Sequence, residues 1–233
     1  MILFARNLGH SWILHSRELI LRTALKGLKA KLVIDVGCAD GGYLPLLSTY
    51  LNTPLVIGVD VSQKELRLSK LYETCPNSAY AQADVTALPF STSTFDIIFS
   101  KDLLHHLSYP SKALKEFRRV LKSNGTMVII EADRDNPLMR MYIGHGHNHY
   151  TLKQLSALME RTELNGFRVE QVTAYPHHFL FWSGKPMELI WDLYIMIFLS
   201  FCYGFPSVAT YLVKLVSSTT PYSYNIILWK RKH

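Results

Sequence analysis

The chain has 233 residues, 48% of them apolar and 18% charged, and a formal net charge of +7 at pH 7. That length suits one α/β domain with a sizeable core, and the composition excludes both a disordered chain and a small disulfide scaffold. Cys38, Cys75 and Cys202 stand at unrelated spacings, which gives no zinc pattern and argues against a disulfide framework, so a reducing, cytoplasmic compartment is expected.

Positive charge gathers at the two ends. In residues 1–31, Arg6, Arg17, Arg22, Lys26, Lys29 and Lys31 stand against Glu18, and the chain closes Lys230-Arg231-Lys232-His233. Anionic neighbours, either phospholipid headgroups or nucleic acid, would suit this asymmetry. Arg6, His10 and Arg17 interrupt the first apolar pieces, so no signal peptide is expected. Residues 11–28 read as an amphipathic helix that packs beside the first strand or lies on a membrane surface.

Leu32 to Val36 is apolar and β-branched apart from Asp35, as a central strand covered on both faces would be. The glycine-rich run Gly37-Cys38-Ala39-Asp40-Gly41-Gly42 follows, then a helix over Tyr43 to Tyr50. Glycines allow a tight turn and a ligand laid against bare backbone. A dinucleotide turn places a pyrophosphate on the helix N-terminus. Here Asp35 would repel that anion and favour a cationic ligand.

A second strand, Leu55 to Asp60, is followed by a helix opened by the capping box Ser62-Gln63-Lys64-Glu65. Asp60 therefore ends a strand about twenty residues beyond the glycines, where a carboxylate can accept hydrogen bonds from ribose hydroxyls. A third strand over Ala79 to Ala83 leads to Asp84-Val85, and a fourth over Thr94 to Ser100 leads to Lys101-Asp102-Leu103-Leu104-His105-His106-Leu107. Pro110 to Leu121 reads as a helix, and Asn124-Gly125 as the turn into a fifth strand, Thr126 to Glu131. Asn136 to Ile143 reads as a short helix and residues 144–150 as a loop feeding a helix capped by Thr151 and Gln154. Gly166 to Val172 is the sixth strand and Tyr224 to Lys230 the last. Strands alternating with helices at this spacing imply a doubly wound parallel sheet.

The landmarks Asp35/Gly37, Asp60, Asp84 and Phe95-Asp96 with His105-His106-Leu107, and the phrase Arg119-Val120-Leu121-Lys122-Ser123-Asn124-Gly125, resemble in order the motifs of class I S-adenosylmethionine-dependent methyltransferases. The resemblance covers residues 30–132 well. It implies a mostly parallel seven-stranded sheet whose last strand is antiparallel and inserts beside the fifth. It also implies S-adenosylmethionine as cofactor, held by Asp35, Gly37, Cys38, Ala39, Gly41, Asp60, Val61, Asp84, Val85, Ser100 and Lys101, with Asp84 near the adenine amino group and Val85 beside the ring. Ala39 stands where the family has its second glycine.

Methyl transfer from a sulfonium needs alignment and exclusion of water more than covalent help. A base matters only where the acceptor must lose a proton. His105 or His106 could be that base; the other reading packs one as a structural histidine while the other lines the pocket. His145, His147 and His149 alternate on one segment, but no acid or cysteine has helpful spacing, so no metal is expected. His149 or Tyr150 could instead orient the acceptor.

Residues 176–220 stand apart, interrupting a domain made of 1–175 and 221–233. No charged residue occurs from Leu193 to Val213, yet Gly204-Phe205-Pro206 breaks the run short of the about 20 residues that one membrane span needs. A two-helix apolar cap is expected. It could receive a small, lipid-like acceptor, contact a membrane through residues 189–216 together with the basic N-terminal helix, or bury itself in a homodimer. The reading that follows is a methyltransferase acting on a small apolar or lipid-like acceptor, cytoplasmic and in contact with membranes. Two alternatives stand beside it: an RNA methyltransferase, motivated by the charge, and a non-catalytic cofactor-binding regulator.

Overall fold

The computed structural model describes residues 21–71, 75–135, 149–174 and 222–230. The expected short helix from Asn136, the loop carrying His145 and His147, the apolar cap, the basic C-terminal residues 231–233 and all but the end of the N-terminal helix lie outside the described residues.

The described elements are β1 (Leu32–Val36), α1 (Leu44–Leu51), β2 (Leu55–Asp60), α2 (Gln63–Leu71), β3 (Ser78–Gln82), β4 (Phe95–Lys101), a 3₁₀ turn (Leu104–His106), α3 (Pro110–Val120), β5 (Leu121–Ala132), α4 (Leu152–Arg161), β6 (Arg168–Ala174) and β7 (Tyr222–Lys230). They form one seven-stranded sheet in the order β3-β2-β1-β4-β5-β7-β6. β1 to β5 pair in parallel. β7 runs antiparallel to both its neighbours, β5 and β6, so β6 points the same way as β1.

Neighbouring residues on a strand face opposite sides, and both sides are covered. Val33, Val56, Phe99, Val128 and Ile130 pack with Leu44, Leu47 and Leu51 of α1. Their sequence neighbours Ile34, Ile98, Met127 and Ile129 pack with Leu114 and Phe117 of α3 and with Leu155 and Met159 of α4. Phe95, Phe99 and Phe117 are wholly buried, each contributing about 1.5–3 kcal/mol relative to exposure. Among the described residues no helix is long and apolar enough to cross a membrane.

The helix starts follow the local chemistry. Pro45 and Pro110 occupy first-turn positions, where the missing N–H removes no bond. Ser62 Oγ accepts from Glu65 N at 3.3 Å. Thr151 and Gln154 form the reciprocal capping box at α4.

One expectation needs correcting. Asn124-Gly125 is not a turn ahead of the fifth strand but a bulge inside it: β5 starts at Leu121, and its register on β4 jumps from Phe95↔Leu121 to Ile97↔Thr126. Asp96, between those paired positions, fastens the bulge. Its Oδ1 accepts from Lys122 Nζ at 2.8 Å, and its Oδ2 accepts from the backbone N–H groups of Lys31 and Leu32 at 2.9 Å each. A Cβ on Gly125 would stand 2.6 Å from a Leu121 side-chain carbon and 3.0 Å from Asp96 O, so the bulge closes only on glycine.

Candidate active site

The edge where β1, β2 and β4 end carries the glycine-rich turn. Gly37, Ala39 and Gly41 have φ of 74°, 46° and 73°, the left-handed region that favours glycine. Gly37 N and Cys38 N both donate to Val59 O, at 2.8 and 3.0 Å, which ties the turn to β2. A Cβ on Gly37 would meet Leu103 Cδ1 at 2.7 Å, so the glycine also lets the segment after β4 approach. Ala39 N donates to Asp60 Oδ2 at 2.9 Å and Ser62 N to Asp60 Oδ1 at 2.8 Å. A carboxylate has about four lone-pair positions, so Asp60 holds its turn together and retains acceptor capacity for a ligand.

The electrostatics of the turn suit a cation. Asp35 is buried. The Cys38 thiol is pushed far up, first by burial and then by the negative charges of Asp35, Asp60 and Asp40. Asp35, Asp60 and Asp40 place negative charge around the turn, which suits a sulfonium or ammonium group.

Around this turn stand the other expected cofactor residues. Val61 is exposed directly after Asp60. Asp84 is exposed, and its Oδ1 accepts from both the backbone N–H and the hydroxyl of Thr86 at 2.8 Å. Those two bonds hold its carboxyl below the ordinary value. Val85 is buried beside it. Ser100 sits inside β4, paired with Ile129 and wholly buried. Lys101 ends the strand, its ammonium bonded to Asp102 and lying 5.8 Å from the Tyr43 ring centroid.

The turn after β4 separates the two adjacent histidines. His106 is exposed, whereas His105 is buried. The His105 ring lies 4.1 Å from His106 and 4.1 Å from His149, and it is stacked on the latter at 24°. Beneath them is Glu131, wholly buried at the end of β5. Its Oε1 accepts from Leu103 N at 3.0 Å and Leu104 N at 2.7 Å; its Oε2 lies 2.8 Å from His105 Nδ1. Burial pushes the Glu131 carboxyl above its ordinary value; His105 pulls it down without cancelling the rise, and Asp102 adds to it. Tyr150 donates its hydroxyl to Leu104 O at 3.3 Å and titrates above the ordinary phenol range, through burial and then Glu131. Arg134 N donates to Tyr150 O at 3.1 Å, closing the ends of segment 135–149 beside this cluster.

His105, His106, His149 and Tyr150 are thus brought together, and the sequence reading missed the residue that organises them. Its one signal was an acid ending an apolar strand, Met127-Val-Ile-Ile-Glu131, as Asp35 interrupts β1. Asp102, His105 and Glu131 also offer ligand atoms within 4.8 Å of one another. Lys101, the turn amides and the His105–Glu131 contact engage those atoms, so internal partners account for the cluster.

Residues 34–129 match the family described as a methyltransferase domain. A SAM dependent methyltransferase from Aquifex aeolicus, known from its crystal structure, superposes with a TM-score of 0.56 at 25% identity, over 68% of this chain and 83% of that one. Residues 34–129 carry a methyltransferase domain, similar in fold to class I, S-adenosylmethionine-dependent enzymes. Among curated relatives, a tRNA U34 carboxymethyltransferase of Campylobacter jejuni is 29% identical over 162 residues, 66% of this chain and 55% of that protein. A phthiotriol/phenolphthiotriol dimycocerosates methyltransferase of Mycobacterium ulcerans is 25% identical over 111 residues, 48% of this chain and 41% of that protein. The chain spans 66%, 41% and 55% of the lengths of three curated relatives that it matches.

The methyltransferase site fits its cofactor on observations of this chain. Asp35, Asp40 and Asp60 stand at the turn, Gly37 leaves room for Leu103 to close against it, and Asp60 retains acceptor capacity. S-adenosylmethionine supplies an electrophilic methyl group. Asp35, the glycine-rich turn and Asp60 are the residues that would hold the cofactor, and the histidine turn stands on the same sheet edge.

Proposed function

We propose that the protein transfers a methyl group from S-adenosylmethionine to a small, apolar or lipid-like acceptor delivered through the segment between β6 and β7. The carrying observation is topological. β6 runs parallel to β1 and ends at Ala174, which pairs with Tyr222 at the start of β7, while Tyr224 pairs with Ala132 at the end of β5. Ala174 and Tyr222, the flanks of residues 175–221, therefore lie at the edge that carries the glycine and histidine turns. That segment contains the uncharged run Leu193 to Val213, chemistry suited to an apolar acceptor and to a bilayer interface. The M. ulcerans relative, named for dimycocerosates, lends support. Membrane contact from the cytoplasmic side, helped by the basic N-terminal residues, extends the same reading; a cap buried in a homodimer is its competitor.

A second reading, methylation of RNA, is favoured by the tRNA-modifying relative and by the net charge of +7. One incubation separates the two. Methyl-labelled cofactor is added to the protein in whole-cell extract, and label is partitioned among organic-soluble, RNA, protein and small polar fractions. Label in the organic phase is expected, with Phe198→Asp and Phe201→Asp weakening binding to anionic vesicles. Label in RNA would replace the first reading by the second, and variants that change only oligomeric state would make the cap an interface.

A further inference from the structure

The Glu131–His105 contact has the geometry of a proton-handling pair. Glu131 is wholly buried, and its Oε1 is already taken by the amides of Leu103 and Leu104. Its Oε2 therefore faces His105 Nδ1 at 2.8 Å. With the carboxylate ionised, it can only accept, so the Nδ1 nitrogen carries the proton. The neutral ring then keeps its lone pair on Nε2. His105 lies between His149 and the exposed His106, at ring separations of 4.1 Å. An ionised carboxylate in a wholly buried position is costly unless its charge is used or fully bonded.

We propose that Glu131 is a positioning residue for proton removal from the acceptor: it fixes the Nδ1–H form of His105 and supplies the negative charge that steadies an imidazolium in the His105–His106–His149 stack. The acceptor is then of a class that arrives carrying the proton it must lose: a hydroxyl, a thiol or a protonated amine. The step balances. The acceptor's X–H proton passes to an imidazole nitrogen of the stack, and the pair on X forms the new X–CH₃ bond. The pair of the broken C–S bond stays on sulfur as a neutral thioether, and the imidazolium later returns its proton to water. His106, the exposed member of the stack, is the one placed to meet the acceptor, and Glu131 acts through His105. This rests on the methyl-transfer reading but not on the acceptor being lipid-like. Among the described residues, Asp102, paired with Lys101, and Tyr150 are the other titratable groups beside the stack.

Glu131→Gln is the discriminating variant. An amide can still accept from both turn N–H groups and still bond Nδ1, but only by donating. The shape survives, while the charge is lost and the His105 tautomer inverts. Three readouts are taken: affinity for S-adenosylhomocysteine, initial rate of label incorporation in whole-cell extract, and the pH dependence of that rate. Cofactor affinity should be unchanged and the rate should fall about 100-fold. The pH dependence of the rate should change, because a negative charge has been removed from beside the stack. Independently, ¹⁵N-histidine spectra of the unaltered protein should show His105 in its Nδ1–H form near neutral pH, a readout that stands if the variant does not fold. A Glu131→Gln protein that keeps rate and pH dependence, or a His105 found protonated on Nε2 alone, would overturn the proposal. Absence of label with the unaltered protein would instead count against the methyl-transfer reading, and the spectra would still decide the role of Glu131.

Discussion

The backbone N–H of Ala39 donates to Asp60 Oδ2 at 2.9 Å, so the glycine-rich turn after β1 is fastened to the acid that ends β2. Two features expected to hold the cofactor thus form one unit. A ligand that presses on either one is felt by the other.

Ala39 takes its place in that unit with φ of 46°. A left-handed backbone costs an L-residue about 1–2 kcal/mol, and glycine's extra freedom when unfolded offsets about 0.5–1 kcal/mol of the gain from replacing it. Ala39→Gly should therefore be neutral to about 1 kcal/mol stabilising, while Ala39→Val, branched at Cβ, should destabilise by about 1 kcal/mol or more. Urea unfolding of the two variants checks this. A valine variant as stable as the parent would show that the turn does not hold this conformation.

Asp96 ties the start of β1 to the bulge of β5. Burial acts to raise its carboxyl, but the Lys122 hydrogen bond and the amides of Leu32 and Lys31 outweigh it, and the group titrates below its ordinary value. A depressed carboxyl stabilises above its unfolded pKa and loses that contribution as pH falls through the folded value. Asp96→Asn should cost about 1–3 kcal/mol near neutral pH, and the gap from the parent should shrink below about pH 4. A gap independent of pH would mean that the charge is idle.

Cys38 should be inert. It is 6% exposed, and burial together with Asp35, Asp60 and Asp40 disfavours its thiolate, the reactive form. Alkylation mapped to Cys38 by mass spectrometry should be negligible in the folded protein, even at mildly alkaline pH, and rapid in denaturant. Fast labelling of the native chain would contradict the negative potential assigned to the turn.

The sheet was legible because its strands are apolar runs of strand length separated by helical patterns, and the glycine turn and Asp60 because their spacing follows from what a cofactor edge requires. The bulge of β5 was not. Asn124-Gly125 has the composition of a free turn, and the hydrogen bonds of Asp96 to Lys31, Leu32 and Lys122 brace it inside the strand. Ser100 reads as the last residue of β4, whereas β4 extends to Lys101 and buries Ser100. The histidine stack was half legible. His105 and His106 are adjacent in the chain, but which one is buried depends on Glu131, and the stacking of His149 on His105 joins positions that no local pattern connects.

The central claim is that this edge of the sheet holds S-adenosylmethionine with Asp60 as a principal contact, and titration calorimetry with S-adenosylhomocysteine tests it most directly. The unaltered protein should bind. Asp60→Ala should lose about 1.5–3 kcal/mol, a weakening of about 10- to 150-fold, through loss of charge-assisted hydrogen bonds. Unchanged affinity in the variant would remove Asp60 from the site, and no binding by the unaltered protein would contradict the cofactor site itself.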